Sequence, residues 1–239
     1  MKVGVVQFKA TKGAIDASRE ALVSLADRAA PGTDLLVLPE MAVSGYVFPD
    51  AAAVRAIAER PAGPTARRLS EVARRHRTWL VAGFAEDAGD RLYNSAMVFD
   101  RDGALAFVYR KTLLYEADVP WATPGDSGYQ SFDTGVGRFG VGICMDLNDD
   151  RFVRWVRDDR PHALAFPTNW VRDEAGTDTW NYWAWRMRDL DTALVAANTW
   201  GPDASTWFTG RSVVLQRLVV YAHLPPEGNG FARADIRTW

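Results

Sequence analysis

The chain has 239 residues, of which 48% are hydrophobic and 24% are charged, with 28 basic residues against 30 acidic ones. This length corresponds to one large domain or a close pair, and such a chain can bury a core without a disulfide or a structural metal. The single cysteine excludes an internal disulfide, the near-zero net charge argues against a nucleic-acid partner, and no apolar run approaches the ~20 residues that span a bilayer. A strand-like run begins at once after Met1, which leaves no room for a signal peptide, so we expect a soluble, cytoplasmic protein with no membrane partner.

Strand-like and helical patterns alternate along the chain. Short apolar and β-branched runs predict strands at Val3–Phe8, Leu35–Leu38, Trp79–Phe84, Ser95–Phe99, Ala104–Tyr109, Phe139–Ile143, Ala163–Phe166, Ala193–Ala197, Ser212–Leu215, Val219–Ala222 and Phe231–Ile236. Helical spacing predicts helices at Ile15–Ala30, Thr65–Arg77, Asp149–Asp159 and Asp178–Leu190. Because no linker, repeat or low-complexity stretch interrupts this series, we predict one layered α/β domain over residues 1–239, with helices outside a buried sheet system.

Three polar residues come at or just after the ends of predicted strands. Glu40, Lys111 and Cys144 follow the second, fifth and sixth strands. Ligands in layered α/β proteins bind beyond the carboxyl ends of strands, so the three side chains converge if these strands are neighbours. A thiol with an ordinary pKa near ~8.5 needs a base to become a nucleophile, which a carboxylate can provide. An ammonium can stabilise the oxyanion formed on a carbonyl, so the trio predicts nucleophilic catalysis without histidine.

Each of these residues also has an ordinary structural interpretation. A single cysteine is most often an inert small hydrophobic residue, and a Glu or Lys after a strand is most often a solvated loop residue. Lysine usage argues against this interpretation for Lys111, because only four of the 28 basic residues are lysines and Lys111 is the only one after residue 12. Arginine is bulkier and does not deprotonate, so a compact ammonium at this position favours a functional role.

Seven segments in order resemble the nitrilase superfamily of carbon–nitrogen hydrolases. They are Val3–Gln7, Leu38–Glu40 with Ser44–Tyr46, Tyr93–Ser95, Tyr109–Thr112, Gly142–Asp146, Pro167–Trp170 and Gly210–Ser212. The resemblance extends almost from end to end. It implies a four-layer αββα sandwich, no cofactor, and assembly of subunits into a homodimer or a higher homo-oligomer.

The resemblance also implies a mechanism for the matched residues. Cys144 would attack an amide or nitrile carbon and form a covalent acyl-enzyme. Lys111 and the backbone N–H of Met145 would hold the oxyanion. Glu40 would deprotonate the thiol, protonate the departing ammonia and then activate the hydrolytic water.

Further site residues are implied by the same resemblance. Many members of the superfamily carry a second carboxylate after the lysine strand, and Glu116 is the best match, with Asp118 as its rival. Tyr46, Asn169 and Trp170 are candidates for lining the acyl pocket.

Two departures from the nitrilase pattern shift the expected substrate from nitriles towards amides. Leu113 stands where a histidine is common, and Met145-Asp146 stand where nitrilases proper have Trp-Glu. The stretches 111–118 and 142–148 look most like the branch that deamidates amino-terminal Asn or Gln. We therefore predict a cysteine-dependent amidase that releases ammonia from a small or terminal carboxamide through a thioester. The alternatives are nitrile or N-carbamoyl hydrolysis, and a catalytically silent relative that binds a metabolite or a partner.

Other features predict no cofactor or metal. The three histidines form no His-x-His or His-Glu-x-x-His pattern, so a zinc site is not expected, and a Cys–His dyad through His162 lacks a recognisable context. Trp180, Trp183, Met187 and Leu190 share one helical face, which indicates either core or a subunit interface.

Overall fold

The computed structural model describes residues 1–172 and 178–237. Its strands within these residues are β1 Lys2–Gln7, β2 Leu35–Val37, β3 Trp79–Asp87, β4 Leu92–Phe99, β5 Leu105–Arg110, β6 Gln130–Asp133, β7 Arg138–Val141, β8 Ala163–Thr168, β9 Ala193–Asn198, β10 Trp200–Asp203, β11 Thr206–Thr209, β12 Val213–Gln216, β13 Val219–His223 and β14 Gly230–Asp235. Its α-helices are α1 Ile15–Ala29, α2 Ala51–Arg55, α3 Pro64–His76, α4 Asp150–Asp159 and α5 Thr179–Met187, and a 3₁₀ helix spans Cys144–Asn148.

Two six-stranded sheets share one plan. The first has the order β14-β1-β2-β3-β4-β5 and the second has the order β13-β12-β9-β8-β7-β6. In each sheet three parallel strands lie side by side, β1–β2–β3 in the first and β7–β8–β9 in the second, and antiparallel strands flank them. Parallel strands are usually covered on both faces, which explains why the central runs read as continuously apolar.

The inner faces of the two sheets form one apolar layer. Val3 and Val5 of β1 lie in the same buried cluster as Val141 of β7 and Val195 of β9. Because side chains alternate along a strand, the intervening residues face outward to the helices. The sheets therefore pack against each other through a shared core.

The outer face of each sheet is covered by a pair of helices. Leu22 of α1 and Leu69 of α3 pack with Leu36 on the first sheet. Helices α4 and α5 cover the second sheet, where Phe152 and Trp183 are fully buried. The layers are thus helix, sheet, sheet, helix, and the predicted αββα class is confirmed.

The four predicted helices are present, and α5 ends three residues earlier than predicted. The sequence analysis missed α2, β6 and the hairpin β10–β11, all of which are four or five residues long. Elements of this length show almost no periodicity, and β10 also contains Gly201 and Pro202, which are disfavoured in strands. This hairpin matters because it lies at the cavity described below.

The aromatic stripe on α5 belongs to the core. Trp183, Met187 and Leu190 are all buried in the cluster under the second sheet, so the core interpretation is confirmed for them.

Among the described residues, none of the helices combines the length and apolarity needed to cross a membrane.

Candidate active site

Glu40 lies in the loop after β2. Backbone hydrogen bonds from Gly83 of β3 hold this loop both before and after Glu40. The N–H of Gly83 donates to the carbonyl of Pro39 at 3.0 Å, and the carbonyl of Gly83 accepts from the N–H of Ala42 at 3.0 Å. A Cβ at position 83 would lie only 2.4 Å from the Cα of Glu40. Glycine is therefore required here, because the Glu40 backbone passes directly over it.

Lys111 follows β5 and is completely buried. Its Nζ donates to Glu40 Oε1 at 2.7 Å, to Asp118 Oδ2 at 2.6 Å and to the hydroxyl of Tyr46 at 3.2 Å. Burial alone would lower the pKa of Lys111, but the charges of Asp118 and Glu40 outweigh it and raise the pKa well above the ordinary range. The lysine is thus a fixed cation between two carboxylates.

Glu40 accepts three short hydrogen bonds. Besides Lys111, the side-chain amide of Asn94 donates to Oε1 at 2.7 Å and the backbone N–H of Asn169 donates to Oε2 at 2.7 Å. Burial raises the pKa of this carboxyl, and the nearby Asp118 adds to the effect, while Lys111 opposes it. A carboxylate with a raised pKa is suited to accept a proton and to give it back.

Cys144 begins the 3₁₀ helix that follows β7 and is 5% exposed. Its φ angle of 45° is left-handed, a strained conformation for a residue other than glycine and one often found at functional sites. Burial and the charge of Glu40 raise the pKa of the thiol, while the charge of Lys111 acts in the opposite direction. The thiol is therefore protonated at neutral pH and needs a base to react.

Asp146 connects the turn of Cys144 to the segment after Lys111. Its buried carboxylate accepts from the N–H groups of Thr112, Leu113 and Ile143, each at 2.9 Å. It also accepts from the hydroxyl of Tyr109 at 2.8 Å, at the end of β5. The Asp146 side chain therefore fixes the 3₁₀ helix that begins at Cys144 relative to β5, the strand that precedes Lys111.

The strands that precede Glu40, Lys111 and Cys144 are not hydrogen-bonded neighbours. The sequence analysis had assumed that they are. β2 and β5 belong to the first sheet with β3 and β4 between them, and β7 belongs to the second sheet. Glu40 instead contacts Lys111 and, across the sandwich, the backbone N–H of Asn169 after β8, and the charges of Glu40 and Lys111 both act on the Cys144 thiol. Convergence therefore depends on sheet packing rather than on strand order.

The second carboxylate at the lysine is Asp118, and the prediction of Glu116 is corrected. Asp118 is fully buried and also accepts from the side-chain amide of Asn94 at 3.0 Å and from the N–H of Tyr115 at 2.9 Å. Glu116 is exposed and accepts from the hydroxyl of Tyr115 at 2.8 Å. The turn after Tyr115 points the carboxylate of Asp118 inward and that of Glu116 to solvent.

A cavity of about 530 Å³ reaches Glu40, and Tyr46 and Asn169 are among its lining residues. Trp170 is not among its lining residues, because the indole packs between Tyr182 and Trp183 with ring centroids 5.5 Å from each. Met145 is half-buried and its sulfur accepts from Asn148 at 3.2 Å, so its side chain also lies outside the lining. The lining of this cavity also lacks Lys111 and Cys144, and the placement of Trp170 in the acyl pocket stays a prediction.

Asn94 and Asp146 have site contacts that the sequence analysis did not assign. Both lie inside segments used for the family resemblance, Tyr93–Ser95 and Gly142–Asp146. Asn94 donates to both carboxylates that flank Lys111. The motifs were the available signal, but only the fold shows which side chain of each motif points into the site.

No group of three or more His, Cys, Asp or Glu residues suited to a metal ion occurs among the residues described. His76 contacts Asp27 at 2.9 Å, and the ring of His223 packs on that of Trp180, so both histidines contact residues outside the candidate site. The chemistry available at the site is that of a thiol, an ammonium and two carboxylates.

Comparison with known proteins gives one consistent result. Residues 2–237 match a family model described as carbon–nitrogen hydrolase. The chain is 34% identical to a nitrilase of Pyrococcus abyssi, over 77% of this chain and 68% of the relative. It is 25% identical to a protein N-terminal amidase of Schizosaccharomyces pombe over 99% of both chains, and 33% identical to an omega-amidase of Mus musculus over 70% of this chain and 62% of the relative. Its fold is similar to that of an amidase from Nesterenkonia sp., with a TM-score of 0.82 at 23% identity over 99% of this chain and 90% of that one.

Proposed function

The chain belongs to the carbon–nitrogen hydrolase family and is an enzyme that hydrolyses carbon–nitrogen bonds, and we propose that it deamidates a small carboxamide through a thioester on Cys144. The observation that carries this proposal is the buried contact of Lys111 Nζ with Glu40 Oε1 at 2.7 Å, with both charges acting on the Cys144 thiol. Relatives named amidases support carboxamides as the substrate class.

In the first half-reaction, Glu40 takes the proton of the Cys144 thiol and the sulfur attacks the amide carbon. The carbonyl oxygen becomes an oxyanion, which Lys111 and the backbone N–H of Met145 stabilise. Lys111 has three N–H bonds, and its contact with the Tyr46 hydroxyl is the longest at 3.2 Å, so this donor is the one that turns to the oxyanion. The Met145 N–H lies in the first turn of the 3₁₀ helix, where amide groups lack helical partners.

Collapse of this intermediate breaks the carbon–nitrogen bond. Protonated Glu40 gives its proton to the nitrogen, ammonia leaves and the acyl group remains on Cys144 as a thioester. Glu40 then takes a proton from water and the hydroxide attacks the thioester. Collapse of this second intermediate breaks the carbon–sulfur bond and releases the carboxylic acid, and Glu40 returns its proton to the sulfur of Cys144. Asp118 and Asn94 keep Lys111 and Glu40 in place through both halves.

The test uses butyramide, an amide with which the Nesterenkonia amidase has been solved. We expect stoichiometric release of ammonia and butyrate, and rapid quenching is expected to trap a butyryl adduct on the intact protein. Cys144→Ala should lower kcat by at least about 10⁴-fold, as loss of a catalytic nucleophile does. Cys144→Ser tests the same point with a hydroxyl that still forms an ester.

Unchanged far-UV circular dichroism in both variants would show that the fold is intact. Turnover retained in Cys144→Ala would refute the nucleophile. Butyronitrile and an N-carbamoyl amino acid belong in the same assay, because one relative is named a nitrilase. Slow, incomplete alkylation of Cys144 together with no turnover of any substrate would favour the silent-binder alternative.

We also propose that the protein acts in the cytoplasm as a homodimer or a higher homo-oligomer without a cofactor. The single free thiol, which needs a reducing compartment, supports the location. Trp185 on α5 is 50% exposed, and aromatic residues are enriched at subunit interfaces, which supports association. Light scattering coupled to size-exclusion chromatography measures the oligomer, and a monomer at all concentrations would refute it.

A further inference from the structure

Thr168 is the last residue of β8, the strand next to the one that leads to Cys144. β7 and β8 pair in parallel as far as Val141 and Ala165, and Cys144 and Thr168 each come three residues after that pair. On its other side β8 stays paired with β9 as far as Thr168, which lies opposite Asn198. The end of β8 is therefore fixed beside the 3₁₀ helix that begins at Cys144.

The hydroxyl of Thr168 lies in a place suited to an apolar group. Leu164 and Phe166 of the same strand belong to the apolar cluster under the second sheet, and Thr168 continues their face. Thr168 is fully buried, and within residues 1–172 and 178–237 its Oγ1 has no hydrogen-bond partner. A buried hydroxyl without a partner destabilises a fold, and valine would fill the same volume without this penalty. The threonine therefore calls for a functional explanation.

The thiol of Cys144 is the reactive group on which this hydroxyl acts. Burial and the charge of Glu40 raise the pKa of the thiol, whereas the charge of Lys111 lowers it. The hydroxyl of Thr168 and the backbone N–H of Asn169 lower it as well. The same N–H of Asn169 donates to Glu40 Oε2 at 2.7 Å. The sulfur, the candidate base and the end of β8 thus share one contact region.

We propose that Thr168 is a further catalytic residue, whose hydroxyl donates a hydrogen bond to the sulfur of Cys144 once the sulfur is a thiolate. This inference rests on the proposed function and adds a residue to its machinery. The proton of the thiol goes to Glu40, and Thr168 keeps its own proton throughout. A neutral thiol is a weak acceptor, whereas a thiolate accepts strongly, so the rotatable hydroxyl gains its partner only in the reacting state. An interaction made only there raises the rate.

The same hydrogen bond serves the second half-reaction. When the carbon–sulfur bond of the thioester breaks, the electron pair returns to the sulfur, and the Thr168 hydroxyl stabilises the departing thiolate before Glu40 returns the proton. Thr168 therefore assists the sulfur both as nucleophile and as leaving group.

The experiment measures how fast iodoacetamide alkylates Cys144 in Thr168→Val, where a methyl group of similar size replaces the hydroxyl. We expect the second-order rate constant at pH 7 to fall by about three- to tenfold. A hydrogen bond to a charged group changes the ionised fraction by about ten- to hundredfold, and roughly half of this effect on a logarithmic scale persists in the attack, because a more basic thiolate is the better nucleophile. The kcat for butyramide should fall by a similar factor, with KM within about twofold, because the hydroxyl contacts the sulfur rather than the amide. Thr168→Ser keeps the hydroxyl and should retain most of both rates.

Thr192→Val is the matched control. Thr192 is also buried, but its hydroxyl donates to the carbonyl of Pro161 at 2.7 Å. Its loss should lower the melting temperature and leave the alkylation rate within about twofold of the wild type. Thr168→Val should show the opposite pattern, with a slower reaction and an unchanged or higher melting temperature.

The outcomes separate this contact from the proposed function. An alkylation rate in Thr168→Val within twofold of the wild type would overturn the contact and leave the amidase function standing. A Thr168→Ser variant as slow as Thr168→Val would also overturn it, because the effect would then follow the shape of the side chain. If Thr168→Val does not fold, Thr168→Ala against Thr168→Ser makes the same comparison. If the wild type releases no ammonia from any amide while Thr168→Val still slows alkylation, the contact stands and the proposed function fails.

Discussion

Glu40 is the residue whose ionisation should control the reactivity of the thiol. Its carboxyl has a pKa raised above the ordinary 4.5, chiefly by burial, and it can accept the thiol proton only when it is ionised. The rate at which iodoacetamide alkylates Cys144 should therefore rise with pH through an inflection above 4.5. Because Cys144 is the only cysteine, mass spectrometry of the intact protein reports on this site alone.

Glu40→Gln should remove that inflection. The remaining rate should rise only at alkaline pH, because burial raises the pKa of the Cys144 thiol itself. Identical profiles for the variant and the wild type, over a pH range in which the circular dichroism is constant, would show that Glu40 is not the base.

The two acids after Lys111 offer a matched pair of substitutions. Asp118→Asn removes the carboxylate that contacts Lys111 Nζ at 2.6 Å, while Glu116→Gln changes an exposed neighbour two residues away. Loss of one partner of a buried ion pair costs about 3–5 kcal/mol, so Asp118→Asn should lower the melting temperature. Displacement of Lys111 should also lower kcat by about 10²-fold, the order seen on loss of an oxyanion donor.

Glu116→Gln should stay within about twofold of the wild type in kcat, as surface substitutions usually have small effects. The reverse result, with activity lost in Glu116→Gln and retained in Asp118→Asn, would restore the assignment made from the sequence. Recovery of kcat in Asp118→Glu, relative to Asp118→Asn, would show that the carboxylate acts by positioning Lys111.

At the scale of elements, the sequence predicted which strands end at the site but not how those ends meet. Glu40, Lys111 and Cys144 could be found because each follows an apolar run and because the surrounding motifs resemble one superfamily. The choice of Glu116 over Asp118 was wrong, because which of the two acids points to Lys111 depends on the conformation of the turn after Tyr115. Loop direction is set by tertiary contacts, and a local pattern does not record it.

The same limit applies to the residues that hold the elements together. Gly83 is one of 19 glycines, and nothing in its own strand distinguishes it from the rest until the Glu40 backbone is seen to pass 2.4 Å from its missing Cβ. Asp146 similarly joins two segments more than thirty residues apart in the chain. The short hairpin β10–β11, which brings Trp200 and Asp203 to the cavity, had no periodic pattern to predict it.

At the scale of the whole molecule, the site joins two sheets and requires them to stay packed. Glu40 and Lys111 follow strands of the first sheet, whereas Cys144 and Asn169 follow strands of the second. Both sheets contribute to the same buried cluster, so neither can separate without exposing it. The geometry of the candidate site therefore depends on the same packing that forms the core between the two sheets.

We expect the chain to unfold in one cooperative transition, with near-ultraviolet and far-ultraviolet circular dichroism changing at the same temperature. Val195→Ala, which removes two methyl groups from the fully buried layer between the sheets, should cost about 2 kcal/mol through lost burial and a residual cavity. For a protein of this size that corresponds to roughly 4–8 °C in Tm, and both signals should shift together. Val119→Ala makes the same chemical change at a site that is 66% exposed and should leave Tm nearly unchanged. Two separate transitions, or a shift confined to one signal, would mean that the sheets unfold independently and that the site can open without loss of the rest of the fold.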